Sequence, residues 1–142
     1  MTGKYRLKDD VKWNNIIREI SNNDFEVIDY LSGFCETFAK ALKEKYETYA
    51  VHYVSSRGLK PSHIFLKSIK SNKTVYIDIR GITDDLELFC DSEIFGFEPK
   101  DVYNSVEYTF ENVIFDEYAE EAYLNARKII EKLNKDFDVN QI

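Results

Sequence analysis

The sequence predicts an α+β fold: an antiparallel sheet of about three to five strands, packed by helices and closed by a long C-terminal helix. Three observations predict it. Two segments, Phe34 to Tyr49 and Asp116 to about Lys135, carry apolar residues at the three- and four-residue spacing of a helix face. Between them lie the runs TYAVHYVS, HIFLKSIK and KTVYIDIRG, rich in β-branched and aromatic residues. The last two runs are separated only by Ser71 and Asn72, which marks a hairpin and hence antiparallel pairing.

Taken in order, Asp9 and Asp10 can cap a first helix whose apolar positions are Val11, Trp13, Ile16, Ile17 and Ile20, with Trp13 as its core anchor. SNNDF ends that helix, and EVIDYL reads equally as a short helix or an extended connector. The second helix runs from Phe34 through Phe38, Ala41, Leu42, Lys45 and Tyr46 to Tyr49. Three strands follow, with the loop SRGLKPS between the first and second. Beyond Gly81 the chain reads as a short helix and a loop, in which Cys90 is a core residue, before a fourth strand in VEYTFENVIF. Ala119, Ala122, Tyr123, Ala126, Ile129, Ile130 and Leu133 then define the C-terminal helix.

With 142 residues, 44% of them apolar and 15% aromatic, the chain suffices for one domain over 1–142 with a full core. The net charge of −7 and the absence of a Lys/Arg cluster argue against nucleic-acid binding by a basic patch. MTGKYRLKDDVKW lacks the apolar core of a signal peptide, and no eighteen apolar residues run together, so a cytoplasmic protein without membrane partners is expected. In that compartment Cys35 and Cys90 should be reduced. With no CxxC pair and only two histidines, neither a metal nor an organic cofactor is implied.

The chemistry-bearing residues are Cys35, His63 and Asp78. If Gly33 caps the second helix, Cys35 falls in its first turn and Glu36 at its third position, where exposed N–H groups and the helix dipole would favour a thiolate and lower its pKa. The same N–H groups could hold an oxyanion. A two-residue turn at Ser71 and Asn72 pairs Lys70 with Lys73, hence His63 with Arg80 and Phe65 with Asp78. His63 and Asp78 then become diagonal neighbours on one sheet face, with Cβ atoms ~7 Å apart or somewhat less. Ile64, Leu66, Val75, Ile77 and Ile79 collect on the other face as an apolar surface. Nucleophile, base and orienting acid make a set suited to acyl transfer. Arg80 can pair with Asp84, Asp85 or Asp78, or bind an anionic substrate group near His63. His52 is a rival base with no evident acid companion.

These motifs resemble a known superfamily. GFCETFAKAL looks like the G-x-C-x-x-F-A-x-A-L helix of papain-like and transglutaminase-like thiol proteins, HIFL like their H-x-F-hydrophobic strand, and YIDIRG like their Y-x-D-x-R-G strand. The resemblance covers roughly Ser32 to Gly81, and the order Cys, His, Asp with a short His-to-Asp gap is similar to the transglutaminase-like branch. It implies a papain-like or transglutaminase-like core and a peptidase, amidase, deamidase, transglutaminase or acyltransferase activity on a protein, peptide or other amide substrate. Cys35, His63 and Asp78 would be catalytic, and Ser32, Gly33 and Arg80 would bind substrate or oxyanion. The chain departs from the family in one respect. Many relatives carry Gln, Asn or Trp before the nucleophile as a side-chain oxyanion donor, and the upstream candidates here are Ser32, Asn22 and Asn23. The alternative reading is a non-enzymatic, small acidic binding or inhibitor protein, an accessory factor of phage or mobile-element type, that keeps the scaffold and occludes a basic partner surface.

Overall fold

The computed structural model describes residues 11–21, 25–55, 61–90, 105–110 and 117–141. Among them the fold is α+β, with a five-stranded antiparallel sheet and four α-helices including a C-terminal one. The helices are α1 (Val11–Ile20), α2 (Val27–Ser32), α3 (Cys35–Lys45) and α4 (Glu117–Lys132). The strands are β1 (Ala50–Val54), β2 (His63–Lys70), β3 (Lys73–Asp78), β4 (Gly81–Thr83) and β5 (Val106–Glu107), in spatial order β4-β3-β2-β1-β5. EVIDYL thus resolves as the helix α2, and the three-residue β4 is a strand where a short helix and loop were expected. A 3₁₀ turn at Leu86–Phe89 follows it. The expected fourth strand over 106–115 is confined, within the described residues, to Val106–Glu107.

Local chemistry accounts for the central hairpin. Ser71 and Asn72 both adopt positive φ, 53° and 64°, the signature of a two-residue type I′ turn whose twist matches the strands it joins. Lys70 pairs with Lys73 and Leu66 with Ile77, the register expected from the turn. One face then carries Ile64, Leu66, Val75 and Ile77, all buried, and α3 packs onto this side. Full burial of side chains such as Leu66 and Ile77 stabilises by about 1.5–3 kcal/mol each. β3 ends at Asp78, however, so Ile79 and Arg80 form a turn rather than the strand continuation that would pair Arg80 with His63. Asp78 pairs instead with Gly81, whose φ of 114° is a conformation that an L side chain rarely adopts.

The helices fix the ends of this sheet. Trp13 is buried as expected, and its indole N–H donates to the Ile79 carbonyl at 3.1 Å, so α1 holds the turn that carries Arg80. Val11 and Ile16, counted in the apolar stripe of α1, are exposed, and Trp13 with Ile17 makes the buried contact. α4 lies against α3 and buries Ala122, Ala126, Ile129 and Ile130. Two buried tyrosines tie it and its extension down: Tyr30 donates to the Ala122 carbonyl at 2.8 Å, and Tyr49 to the Phe137 carbonyl at 2.8 Å. No helix among the described residues is long and apolar enough to cross a membrane.

The turn supplies a direct test. Converting Ser71-Asn72 to Asn-Gly relieves the cost of positive φ in side-chain-bearing residues, and should raise stability by about 0.5–1 kcal/mol in urea denaturation without altering the hairpin register.

Candidate active site

The hairpin register brings His63 and Asp78 together as expected. His63 Nε2 lies 3.0 Å from Asp78 Oδ2, and both residues are buried, with 0% and 3% of their surface exposed. The tight Ile79–Arg80 turn folds Arg80 back on the same carboxylate. Its backbone N–H donates to Oδ1 at 2.8 Å, its Nη2 to Oδ2 at 2.7 Å, and its Nε lies 3.2 Å and 3.3 Å from the two oxygens. Burial pushes the Asp78 carboxyl up, but the Arg80 guanidinium and the His63 ring together outweigh it and hold the group at about 2. Asp78 is therefore ionised at neutral pH.

His63 is enclosed by aromatic rings, with Phe65 at 5.6 Å and Phe89 edge-on at 5.2 Å between centroids. Burial pushes the imidazole pKa down; Asp78 and the Leu31 carbonyl oppose this, and the Arg80 charge adds to the lowering. The result is a neutral imidazole, held in place by a carboxylate, the state in which a histidine can accept a proton. Arg80 lies over the Phe89 ring at 5.2 Å and is itself only 4% exposed. Arg80, expected to bind substrate, instead directs its Nε and Nη2 donors at Asp78. Asp84, its other candidate partner, takes Lys73 at 3.1 Å.

Cys35 begins α3 as expected, but the cap differs. Gly33 terminates α2 and Phe34 is the N-cap of α3, so Cys35 is its first residue and Glu36 its second. The physical reason is the carbonyl of Asp29, which accepts both the Gly33 N–H at 3.1 Å and the Phe34 N–H at 2.7 Å and so turns the chain sharply between the two helices. Those two amides are consumed and cannot form an oxyanion hole. Ser32 is likewise not directed at the thiol: its exposed hydroxyl donates to the Ile28 carbonyl at 2.9 Å. Asn22 and Asn23 lie outside the described residues.

The Cys35 thiol is half-buried and packs at the margin of the main core. Its pKa is raised, because burial dominates and the Glu36 carboxylate adds to it, although backbone N–H groups of Ile64, Glu36 and Cys35 pull the other way. The expected net lowering by the helix terminus is thus reversed. The Ile64 amide nonetheless places the sulfur at the start of β2, next along the chain from His63. The Leu31 carbonyl, in the last turn of α2, reaches the His63 ring at that same end of the sheet. Asp78, His63 and Arg80 thus form one network, and Cys35 lies at the Ile64 amide, one residue along the chain from His63, packed with the core on the α3 side of the sheet.

Two neighbours escaped the sequence reading. Phe89 covers His63 and Arg80 from a 3₁₀ turn whose sequence, LELF, carries no signal of that contact. Tyr108, just beyond β5, donates its hydroxyl to Glu36 and lies within electrostatic reach of Cys35. The rival base His52 is half-buried and engages Ser105 Oγ through Nδ1 at 2.8 Å, with Glu107 opposite it across β1 and β5. Cys90 is buried against the Phe65–Phe89 cluster, a core residue as expected. No family model matches this chain, and it has no match among curated proteins or solved structures.

Two outcomes follow from the network. His63 resists protonation in the folded state, whereas an unfolded chain takes that proton near the ordinary value of 6.5. Stability is therefore fully present above pH 6.5 and lost as pH falls toward the lower folded value, by up to about 1.4 kcal/mol per pH unit for one proton. Thermal melts between pH 8 and 5 should show this loss, and His63→Gln should flatten it, leaving the contribution of His52, which shifts in the same direction. Arg80→Met, which leaves Asp78 buried without its cation, should cost about 3–5 kcal/mol in urea denaturation.

Proposed function

We propose that this chain is a thiol-dependent acyl-transfer enzyme with a papain-like or transglutaminase-like core, cleaving or transferring an amide or related acyl bond of a protein or peptide through Cys35, His63 and Asp78. One observation supports the reading: a half-buried thiol in the first turn of α3 lies at the Ile64 amide of β2, and the preceding residue of that strand, His63, is a neutral imidazole whose Nε2 is held by an ionised carboxylate. A helix bearing Cys, then a strand bearing His, then the next strand bearing Asp is also the arrangement that the motif resemblance implies.

The chemistry follows from the protonation states. Because burial keeps Cys35 protonated, the resting site holds thiol and neutral imidazole rather than a preformed ion pair. With Nε2 committed to Asp78, Nδ1 takes the thiol proton as sulfur adds to the carbonyl carbon. The carbonyl π electrons move to oxygen, forming an oxyanion. Collapse of that intermediate breaks the C–N bond, the departing amine takes the proton from His63, and a thioester remains on Cys35. Water or an amine then resolves it by the same steps in reverse order. Asp78 stays ionised throughout, orienting the ring and stabilising the imidazolium.

A second reading, a non-enzymatic binding protein on the same scaffold, is favoured by one feature: Arg80 satisfies Asp78 as a self-contained buried ion pair. The two readings part on acylation. Incubated with p-nitrophenyl acetate and quenched in acid, the enzyme should carry an acetyl group at Cys35 by peptide mapping. Cys35→Ala should lose it, and His63→Ala should slow its formation by on the order of 10²-fold or more. Equal acylation rates in the wild type and His63→Ala would sink the enzyme and leave the binding protein.

A further inference from the structure

Among the described residues, the upstream candidates supply no donor for the oxyanion. Gly33 and Phe34 amides are bound to Asp29, and the Ser32 hydroxyl is bound to Ile28. Resting on the thiol reading above, we propose that the donor comes from downstream: the Tyr108 hydroxyl is the catalytic oxyanion donor, parked on Glu36 in the resting state.

Position comes first. Glu36 directly follows Cys35, so a hydroxyl on its carboxylate is anchored to the first turn of α3, the turn that also carries the sulfur. Tyr108 also lies within electrostatic reach of Cys35. Its placement is rigid: its backbone N–H donates to the Val51 carbonyl at 2.8 Å, and its ring sits edge-on between Tyr53 at 6.0 Å and Phe110 at 5.5 Å. Tyr108 is half-buried, at the molecular margin rather than deep in the core.

Chemistry comes second. Burial and Glu36 push the phenol pKa up, so Tyr108 remains a proton donor at any working pH. Transferring its hydrogen bond from a carboxylate to a tetrahedral oxyanion exchanges one anionic acceptor for another, and the charge-assisted bond is conserved. Glu36 thereby acts as a placeholder, keeping the hydroxyl oriented until charge develops on the substrate oxygen. The bond shifts without any change in covalent structure or redox state.

Two reactions of the same sulfur separate this role from a structural one. Acylation by p-nitrophenyl acetate passes through an oxyanion, whereas alkylation by iodoacetamide is a direct displacement and does not. In Tyr108→Phe, which keeps the aromatic packing, acylation of Cys35 should fall on the order of 10²-fold while alkylation stays within about twofold of wild type. Glu36→Gln, which weakens the resting acceptor and keeps Tyr108 intact, should raise the ratio of acylation to alkylation. An unchanged ratio in Tyr108→Phe, or an equal fall in both rates, overturns the donor role while leaving the thiol reading in place. Loss of His63 dependence in wild-type acylation overturns both.

Discussion

A carboxylate that water barely reaches governs this molecule. Asp78 is 3% exposed yet ionised, and a lone charge in that position would cost several kcal/mol in desolvation. Its oxygens are therefore bound on every side by Arg80 and His63, and each partner constrains a different part of the fold. Arg80 can reach back only because β3 stops at Asp78 and the chain reverses through Ile79, Arg80 and a positive-φ Gly81. His63 can reach across only because the Ser71–Asn72 turn fixes the register of β2 on β3. Trp13 then locks the Arg80 turn from outside by capturing the Ile79 carbonyl.

The two faces of the sheet divide the work accordingly. Ile64, Leu66, Val75 and Ile77 bury in the main hydrophobic cluster with α3, while Phe65 and Phe89 on the opposite side seal the charged network. Sealing has a chemical consequence. Excluding water strengthens the Asp78–Arg80 and Asp78–His63 contacts and drives His63 to its neutral form. The same exclusion acts on Cys35 with the opposite benefit. A helix N-terminus favours an anion by about 0.3–1 kcal/mol, whereas burial of a thiolate can shift its pKa by several units. Burial wins, and the sulfur is held as a thiol.

Much of this arrangement was legible in short stretches of sequence. The spacing of Phe38, Ala41 and Leu42 marks α3, and the alternation in β2 and β3 together with a two-residue turn yields a register in which His63 and Asp78 meet. What eluded the reading involves residues whose partners are distant or whose local signals compete. Gly33 reads as an N-cap for α3, but the Asp29 carbonyl makes it the end of α2 instead. Arg80 had three plausible acidic partners in its neighbourhood, and the turn chose Asp78. Phe89 and Tyr108 join the site across 26 and 73 residues from His63 and Cys35, separations over which no periodicity speaks.

The amino-acid sequence by itself determined α1, α3 and α4, the central hairpin and the meeting of His63 with Asp78, because periodicity and turn geometry are short-range and a strand register, once set, carries its alternation along the whole ladder. Only the tertiary structure decided that Arg80 belongs to Asp78, that Phe89 roofs the imidazole, that Tyr108 reaches the first turn of α3, and that the thiol is kept protonated. Those outcomes depend on where water is excluded, and that is a property of the assembled layers rather than of any one segment.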